Sequence, residues 1–375
     1  MLKTSNVVGI IKKILALMVQ LLAKALFWEN RQRIWLVACG GERWGDNADA
    51  FWRYMNKNHP AIKTLAVVKN KAGFFDPGQK SWIKRNKLSS FILIMQAEVL
   101  ATTHTLSDIG PDSLTSLAKA KKVWLQHGVI AIGKITANKA KAGQYDLICA
   151  SSSREKQIMT DQLGIKPEFI AITGLARHDR LKEIVNQDQP REGVLYIPTS
   201  RAWLNREQKK HYENLLFSWV ELLMKRSREP GVKLWLHPGL AKLRLETPES
   251  SLGSVQRFGL EDDPQDLICK SKLLITDYSS VFFDAAISGI PTIFYQPDRS
   301  SYIEKKGLLR DFLDQDLLLV VENEKELLLQ VDKILNNSDY YKERLKKDQE
   351  WAFKYVETFD GYSCQRIFEQ ITKLF

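Results

Sequence analysis

The residues best suited to chemistry in this chain are two histidines at the ends of apolar runs and a hydroxyl-rich turn between a strand and a helix. His127 closes VWLQ and precedes Gly128. An imidazole in that place is exposed and has room for a substrate beside it, and histidine as a residue type, with a reference pKa of about 6.5, suits general-base work at neutral pH. His237, in LWLHPG, is held extended by the proline that follows, at a strand end where it can donate to a phosphate or leaving-group oxygen. The turn is ITDYSSVFFDAAISGIPTIFY, residues 275–295, where Thr276, Asp277, Ser279 and Ser280 sit between an apolar strand and a helix ending at Gly289. Helix N-termini carry unpaired N–H groups and partial positive charge, a setting for phosphate; the same residue types also serve as plain N-caps. Arg177 and Asp179 in TGLARHD, with Thr199 and Arg201 in IPTSR, add charge-assisted and bidentate contacts for phosphate. Together these residues could bind a phosphate-bearing ligand, although each taken singly also has a structural or solvated-surface reading.

Other chemistries lack their residues. No GxxxxGK[ST], no GxGxxG after a strand and no HExxH is present, which removes support for P-loop hydrolysis, dinucleotide redox chemistry and zinc hydrolysis. Cys39, Cys149, Cys269 and Cys364 are far apart and form no CxxC pair, so they read as buried free thiols in a reducing compartment. No acidic metal cage is evident and no cofactor is required, although a Mg²⁺ ion on a diphosphate would be compatible. His59 and His211 have no comparable context and are assigned no chemistry.

The elements that must position these residues alternate. RIWLVACG (33–40), TLAVVKN (64–70), EVLATTH (98–104), KKVWLQHG (121–128), YDLICAS (145–151) and FIAITG (169–174) read as near-continuous apolar strands. Helices such as 46–59, with Asp46 or Asn47 as N-cap, and 153–164 lie between them. A charged stretch at 178–193 interrupts the pattern, which restarts with strands at 194–200, 232–238, 273–279, 291–297 and 316–320 and a long helix over about 207–227. The fold class is α/β: two doubly wound parallel-sheet domains facing a cleft. The expected limits are 1–30 for a leading helix, 31–185 and 186–345 for the two domains, and 346–375 for a last helix crossing back to the first. The polar candidates nearly all follow a strand directly, where ligands of such sheets bind.

Charge is uneven. Residues 1–180 carry a net +14 and residues 181–375 a net −3, so the basic excess belongs to the first half and suggests an anionic partner there. The segment 7–28 is apolar but interrupted by Lys12, Lys13 and Lys24, without a small-residue cleavage site. It reads best as a basic amphipathic helix on an anionic membrane surface, ahead of a helix packed on its own domain or a spanning helix. Nucleic acid has no binding signature here.

These blocks, in this order, resemble the CDP-glycerol glycerophosphotransferase family, the teichoic-acid primases and polymerases. LLITDYSSVFFDAAISGIPTIFYQPD (273–298) carries the resemblance furthest, supported by WLQHG, TGLARHD, YIPTSR, WLHPG and DNADAFWRYM over roughly residues 33–300. The resemblance implies a GT-B fold with an N-terminal acceptor domain, a C-terminal CDP-donor domain and peripheral association with the cytoplasmic face of the cell membrane. It implies CDP-glycerol or another CDP-alditol as donor, a lipid-linked glycan as acceptor and CMP as leaving group. His127 matches the proposed base, and His237 a residue at the donor pyrophosphate. Thr276, Asp277, Ser279 and Ser280 match the donor turn, with Arg177 and Arg201 as its basic partners. The family's Thr-Pro-Leu-Lys after His-Gly is replaced by VIAIGK, which displaces the lysine to Lys134, and its proline before the arginine is Ala176. The rival readings are a GT-B sugar transferase or nucleotide-sugar epimerase using a UDP-sugar, and a non-catalytic membrane-bound polyanion-binding relative.

Overall fold

The computed structural model describes residues 18–19, 33–40, 44–69, 81–133, 143–201, 203–205, 208, 220, 231–235, 256–259, 262–313 and 316–375. His237, Lys134 and, apart from a few positions, the segments 7–28 and 207–227 lie outside the described residues. Those described gather into two compact units. One holds the chain up to His127, the stretch to Arg180 and Asp360–Phe375; the other holds Gly128 with the residues after it and Leu181–Phe359.

In the first unit the chain runs β1 (Ile34–Ala38), α1 (Asp46–Asn58), β2 (Lys63–Val68), β3 (Trp82–Lys84), α2 (Leu88–Gln96), β4 (Val99–Thr102), α3 (Asp112–Leu117), β5 (Lys121–Trp124), β6 (Leu147–Ala150), α4 (Ser153–Leu163), β7 (Ile170–Ile172) and the first turn of α5 (Arg177–Asn186), whose remainder falls in the second unit. The seven strands are parallel, in the order β3-β2-β1-β4-β5-β6-β7. The strand order reverses at β1, whose neighbours are β2 and β4; the adjacent carboxyl ends of β1 and β4 form the switch point where such sheets take ligands. Side chains of β1 and β4 are buried on both faces, as the unbroken apolar runs IWLVA and VLAT require.

The second unit contains β8 (Val194–Ile197), β9 (Val232–Trp235), β10 (Gln256–Phe258), α6 (Pro264–Cys269), β11 (Leu273–Thr276), α7 (Val281–Ile287), β12 (Thr292–Tyr295), α8 (Arg299–Lys305), α9 (Arg310–Leu313), β13 (Val320–Val321), α10 (Glu324–Asn336) and α11 (Ser338–Ala352). Its six parallel strands are ordered β10-β9-β8-β11-β12-β13, so the switch point lies between β8 and β11. An aromatic cluster joins α7 to α11: Trp351 lies 5.5 Å from Phe282 and 5.4 Å from Phe283. Gly289, in the left-handed region at φ 79°, ends α7, and Arg191 donates to the carbonyls of Gly289 and Ser288 at 2.6 and 2.8 Å. Among the described residues no helix is long and apolar enough to cross a membrane.

The sequence places most of these strands but runs several too long, into the polar residues that follow them. The last one shifts: β13 begins where the expected 316–320 strand ends. The sequence also misses β3 and β10, edge strands of three residues each, too short to show a period.

The last helix, α12 (Ser363–Thr372), belongs to the first unit. Cys364, Ile367 and Ile371 are buried in the core around Trp35, Phe51 and Trp52. Phe368 packs 5.7 Å from Trp35 and stacks on His59 at 3.7 Å. Asp179, from the first turn of α5, accepts N–H bonds from Ser363 and Cys364, both at 2.8 Å, and so caps this helix from a distant part of the chain. Asp179→Ala should lower stability by about 1–2 kcal/mol in urea denaturation. Per folded molecule, activity should hold; lost turnover with unchanged stability would instead make Asp179 a substrate contact.

Candidate functional site

The first cluster forms where α1 starts. The helix opens at Asp46, with Gly45 rather than Asp46 or Asn47 at the N-cap position. That frees both side chains for longer reach. The Asp46 carboxylate holds His127 Nδ1 at 2.5 Å through one oxygen and Arg177 Nη1 at 2.7 Å through the other. Asn47, fully buried, donates from Nδ2 to the Gln126 carbonyl at 2.8 Å and accepts the Arg177 backbone N–H at 2.9 Å. The Arg177 guanidinium also donates to the His127 carbonyl. The DN pair thus ties together the loops after β5 and β7.

This geometry is held under strain. Asp46 at φ 59° and Gln126 at φ 64° both adopt the left-handed conformation, unusual for residues other than glycine. Such strain persists where surrounding contacts over-determine it. Here Gln126 is fixed twice, by Asn47 on its carbonyl and by its own Nε2 on the Cys149 carbonyl at 2.5 Å. Burial opposes ionisation of Asp46, yet the His127 and Arg177 charges outweigh it and hold the carboxyl well below the usual carboxylate range. A carboxylate at Nδ1 selects the tautomer protonated there and leaves the Nε2 lone pair to accept a proton. His127 is 63% exposed.

The second cluster forms at the carboxyl ends of β8, β11 and β12. Asp277, buried, accepts from Thr199 N–H at 3.0 Å, Thr199 Oγ1 at 3.1 Å and Tyr278 N–H at 2.6 Å. Arg201, 1% exposed, pairs with Asp277 at 3.0 Å and with Asp298 at 2.7 Å, and also donates to the Thr199 carbonyl at 3.1 Å. Its guanidinium lies 4.9 Å from the rings of both Tyr278 and Tyr302, which stack at 3.6 Å, and Trp203 meets Tyr302 edge-on at 5.4 Å.

A family profile described as CDP-glycerol:poly(glycerophosphate) glycerophosphotransferase matches residues 18–373. The chain belongs to this family. It is 24% identical over 379 residues to a teichoic acid glycerol-phosphate transferase of Staphylococcus aureus, covering 92% of this chain and 94% of that protein. It is 25% identical over 342 residues to a teichoic acid poly(glycerol phosphate) polymerase of Bacillus subtilis, covering 83% of this chain but 45% of the relative. Among solved structures, the wall teichoic acid polymerase TagF superposes with a TM-score of 0.72 at 19% identity, over 98% of this chain and 95% of that one. A UDP-N-acetylglucosamine 2-epimerase from Listeria monocytogenes, described as putative in its own name, superposes at 0.55 and 15% identity, covering 91% and 96%. These likenesses establish the GT-B architecture expected from the sequence.

For a glycerophosphotransferase, the sequence-derived candidates divide into three groups. His127 and Arg177 stand together with Asp46, in the first unit. Asp277, Arg201 and Thr199 face one another in the second, and Thr276 Oγ1 donates to the Ile197 carbonyl at 2.7 Å. Their polar atoms are taken up internally, which makes them the frame of a site. Ser279 and Ser280 remain half-buried at the start of α7, with Ser279 Oγ accepting the Val281 N–H at 3.3 Å. Sequence reasoning misses the reach of Asp46 and Asn47, and it misses Asp298, Tyr278 and Tyr302 altogether. The DN motif is the available signal, but by residue type it reads as a cap.

Burial pushes the Cys149 thiol up to about 12 and the Cys269 thiol up to about 11, which keeps both protonated, as inert buried thiols should be. Among the described residues no group of three or more His, Cys, Asp or Glu side chains assembles a metal site.

The depressed Asp46 value has a sign. An aspartate held below its unfolded value of about 3.9 stabilises the fold above that pH, and the contribution is lost as pH falls through the folded value. Asp46→Asn should therefore lower the urea midpoint at pH 7, and the gap to wild type should narrow as pH falls below about 4. A gap that is constant with pH would show that the ion pairs of Asp46 contribute nothing to stability.

Proposed function

We propose that this chain transfers glycerol phosphate from CDP-glycerol to a hydroxyl of a membrane-linked, teichoic-acid-type acceptor, releasing CMP. The observation that carries the reading is the exposed His127 imidazole fixed by a carboxylate that Arg177 keeps ionised. In the proposed reaction His127 Nε2 takes the proton of the acceptor hydroxyl as its oxygen attacks the β-phosphorus. The bond from that phosphorus to the bridging oxygen breaks, and CMP leaves with the electron pair. Phosphoryl transfer asks for positioning and charge neutralisation more than for covalent chemistry.

On the donor side, the proposal assigns the diphosphate to Ser279, Ser280 and the backbone N–H groups of the turn that contains them. Asp277, Arg201 and Thr199 hold that turn in shape. Arg177 acts on the acceptor side by fixing Asp46 and the His127 carbonyl, and His237 serves a leaving-group oxygen. Support for glycerol rather than ribitol comes from the family description and from the transferase that matches nearly end to end.

His127→Ala should reduce CMP release from CDP-glycerol with a lipid-linked acceptor by about 10²–10⁴-fold, while binding of CDP measured by calorimetry stays unchanged. Asp46→Asn should cost less than His127→Ala, because the amide oxygen can still accept from Nδ1, although the charge and the bond from Arg177 are lost. Near-normal turnover in His127→Ala would remove it as base.

The basic segment 7–28 supplies the proposed attachment to the cytoplasmic face of the membrane. Reversing charge at Lys12, Lys13 and Lys24 should reduce binding to phosphatidylglycerol vesicles, by about 1 kcal/mol per residue near the surface. Unchanged sedimentation with vesicles would overturn that attachment.

A further inference from the structure

We propose that His104 is a positioning residue for His127, an inference that rests on reading His127 as the base. The two rings lie against each other at a tilt, with centroids 4.4 Å apart and planes at 34°. They come together because β4 and β5 are neighbours in the parallel sheet, and His104 and His127 each leave a carboxyl end at the same edge.

His127 needs this support for a physical reason. Its side chain is largely exposed, so no core packing fixes it. The hydrogen bond to Asp46 anchors Nδ1 but leaves the ring able to tilt about that contact. A ring against its face removes this freedom and keeps Nε2 aimed, in the way that productive geometry in phosphoryl transfer demands.

His104 is itself held from two directions. Thr103 Oγ1 lies 2.8 Å from its Nδ1 and accepts the Gly40 N–H at 3.2 Å. The imidazole also fills the space where a side chain on residue 40 would stand: a Cβ built on Gly40 would overlap the His104 ring. Glycine at this position, just past the end of β1, is what admits the ring. Gly40, Thr103 and His104 thus form a support beside the His127 ring, while Asp46 holds its Nδ1 and Arg177 its carbonyl.

The test measures kcat and donor KM for CMP release, with folding followed by circular dichroism. His104→Ala should lower kcat about 3–10-fold with donor KM unchanged, the size expected for losing one aromatic contact. His104→Phe, which restores a flat ring without any titratable nitrogen, should recover most of the loss. Gly40→Ala, whose added Cβ would overlap the His104 ring, should lower kcat by itself and lose most of that effect in the His104→Ala background, which removes the ring atoms it meets first. In a His127→Ala background the His104 substitution should have no further effect. Full kcat in His104→Ala, a phenylalanine variant no better than alanine, or a His104 effect that persists without His127 would each overturn the proposal. Those outcomes leave the base assignment standing if His127→Ala is itself inactive, whereas a fully active His127→Ala sinks that assignment and this proposal together.

Discussion

One carboxylate organises the first half of the candidate site. Asp46 places one oxygen on His127 and the other on Arg177, and neither contact would serve without the other. Burial alone would push this carboxyl towards its neutral form; the charges of the imidazole and the guanidinium keep it on the ionised side. Arg177 in turn grips the carbonyl of His127, so the same ion pair fixes the backbone from which the imidazole springs. Two left-handed residues, Asp46 and Gln126, are the conformational cost of bringing α1 and the β5 loop this close. Asn47 and the Gln126 amide make the contacts that offset it.

The second unit uses the same chemical pair for a different end. Arg201 and Asp277 are buried beside two stacked tyrosines, and with the partly buried Asp298 the one guanidinium joins the loops after β8, β11 and β12. A buried ion pair of this kind adds little net stability, but breaking it by removing one member leaves an uncompensated buried charge. It specifies a loop geometry. In the first unit the carboxylate–guanidinium pair sets the electrostatics of an exposed group; in the second it sets the shape of a turn that presents the half-buried hydroxyls of Ser279 and Ser280.

The fold is legible in the sequence because parallel strands buried on both faces read as apolar runs, and because polar residues gather at their carboxyl ends. His127 is legible as a polar residue at a strand end for the same reason, but its contacts with Asp46 and His104 are not. Strand order is not legible. Nothing in IWLVA or VLAT says that β1 and β4 are neighbours, and only that adjacency, with the pairing of β4 and β5, puts His104 beside His127 and Gly40 beneath His104. That Asp277 and Arg201 pair with each other is not legible, because charge type is visible in sequence and burial is not. The two meet only when the sheet sets β8 beside β11. The contacts of Asp179 are hidden in the same way, since Ser363 and Cys364 lie at the far end of the chain.

The departures from the family's pattern gain a physical meaning from burial. Where relatives continue His-Gly with Thr-Pro-Leu-Lys, this chain has Val129, Ile130, Ala131 and Ile132, of which Val129, Ala131 and Ile132 are buried. The segment belongs to the second unit: the Leu309 N–H donates to the Ile132 carbonyl at 2.8 Å, and Gly133 bridges Leu308. Apolar residues in this run therefore serve its seating beside Leu308 and Leu309, which are buried as well. Ala176 behaves alike: it is fully buried, its carbonyl accepts from the Cys364 thiol at 3.5 Å, and its neighbour Arg177 keeps its place through Asn47 and Asp46. What proline would supply by fixing the backbone is here supplied by hydrogen bonds to that backbone, so the substitution leaves the guanidinium where the carboxylate needs it.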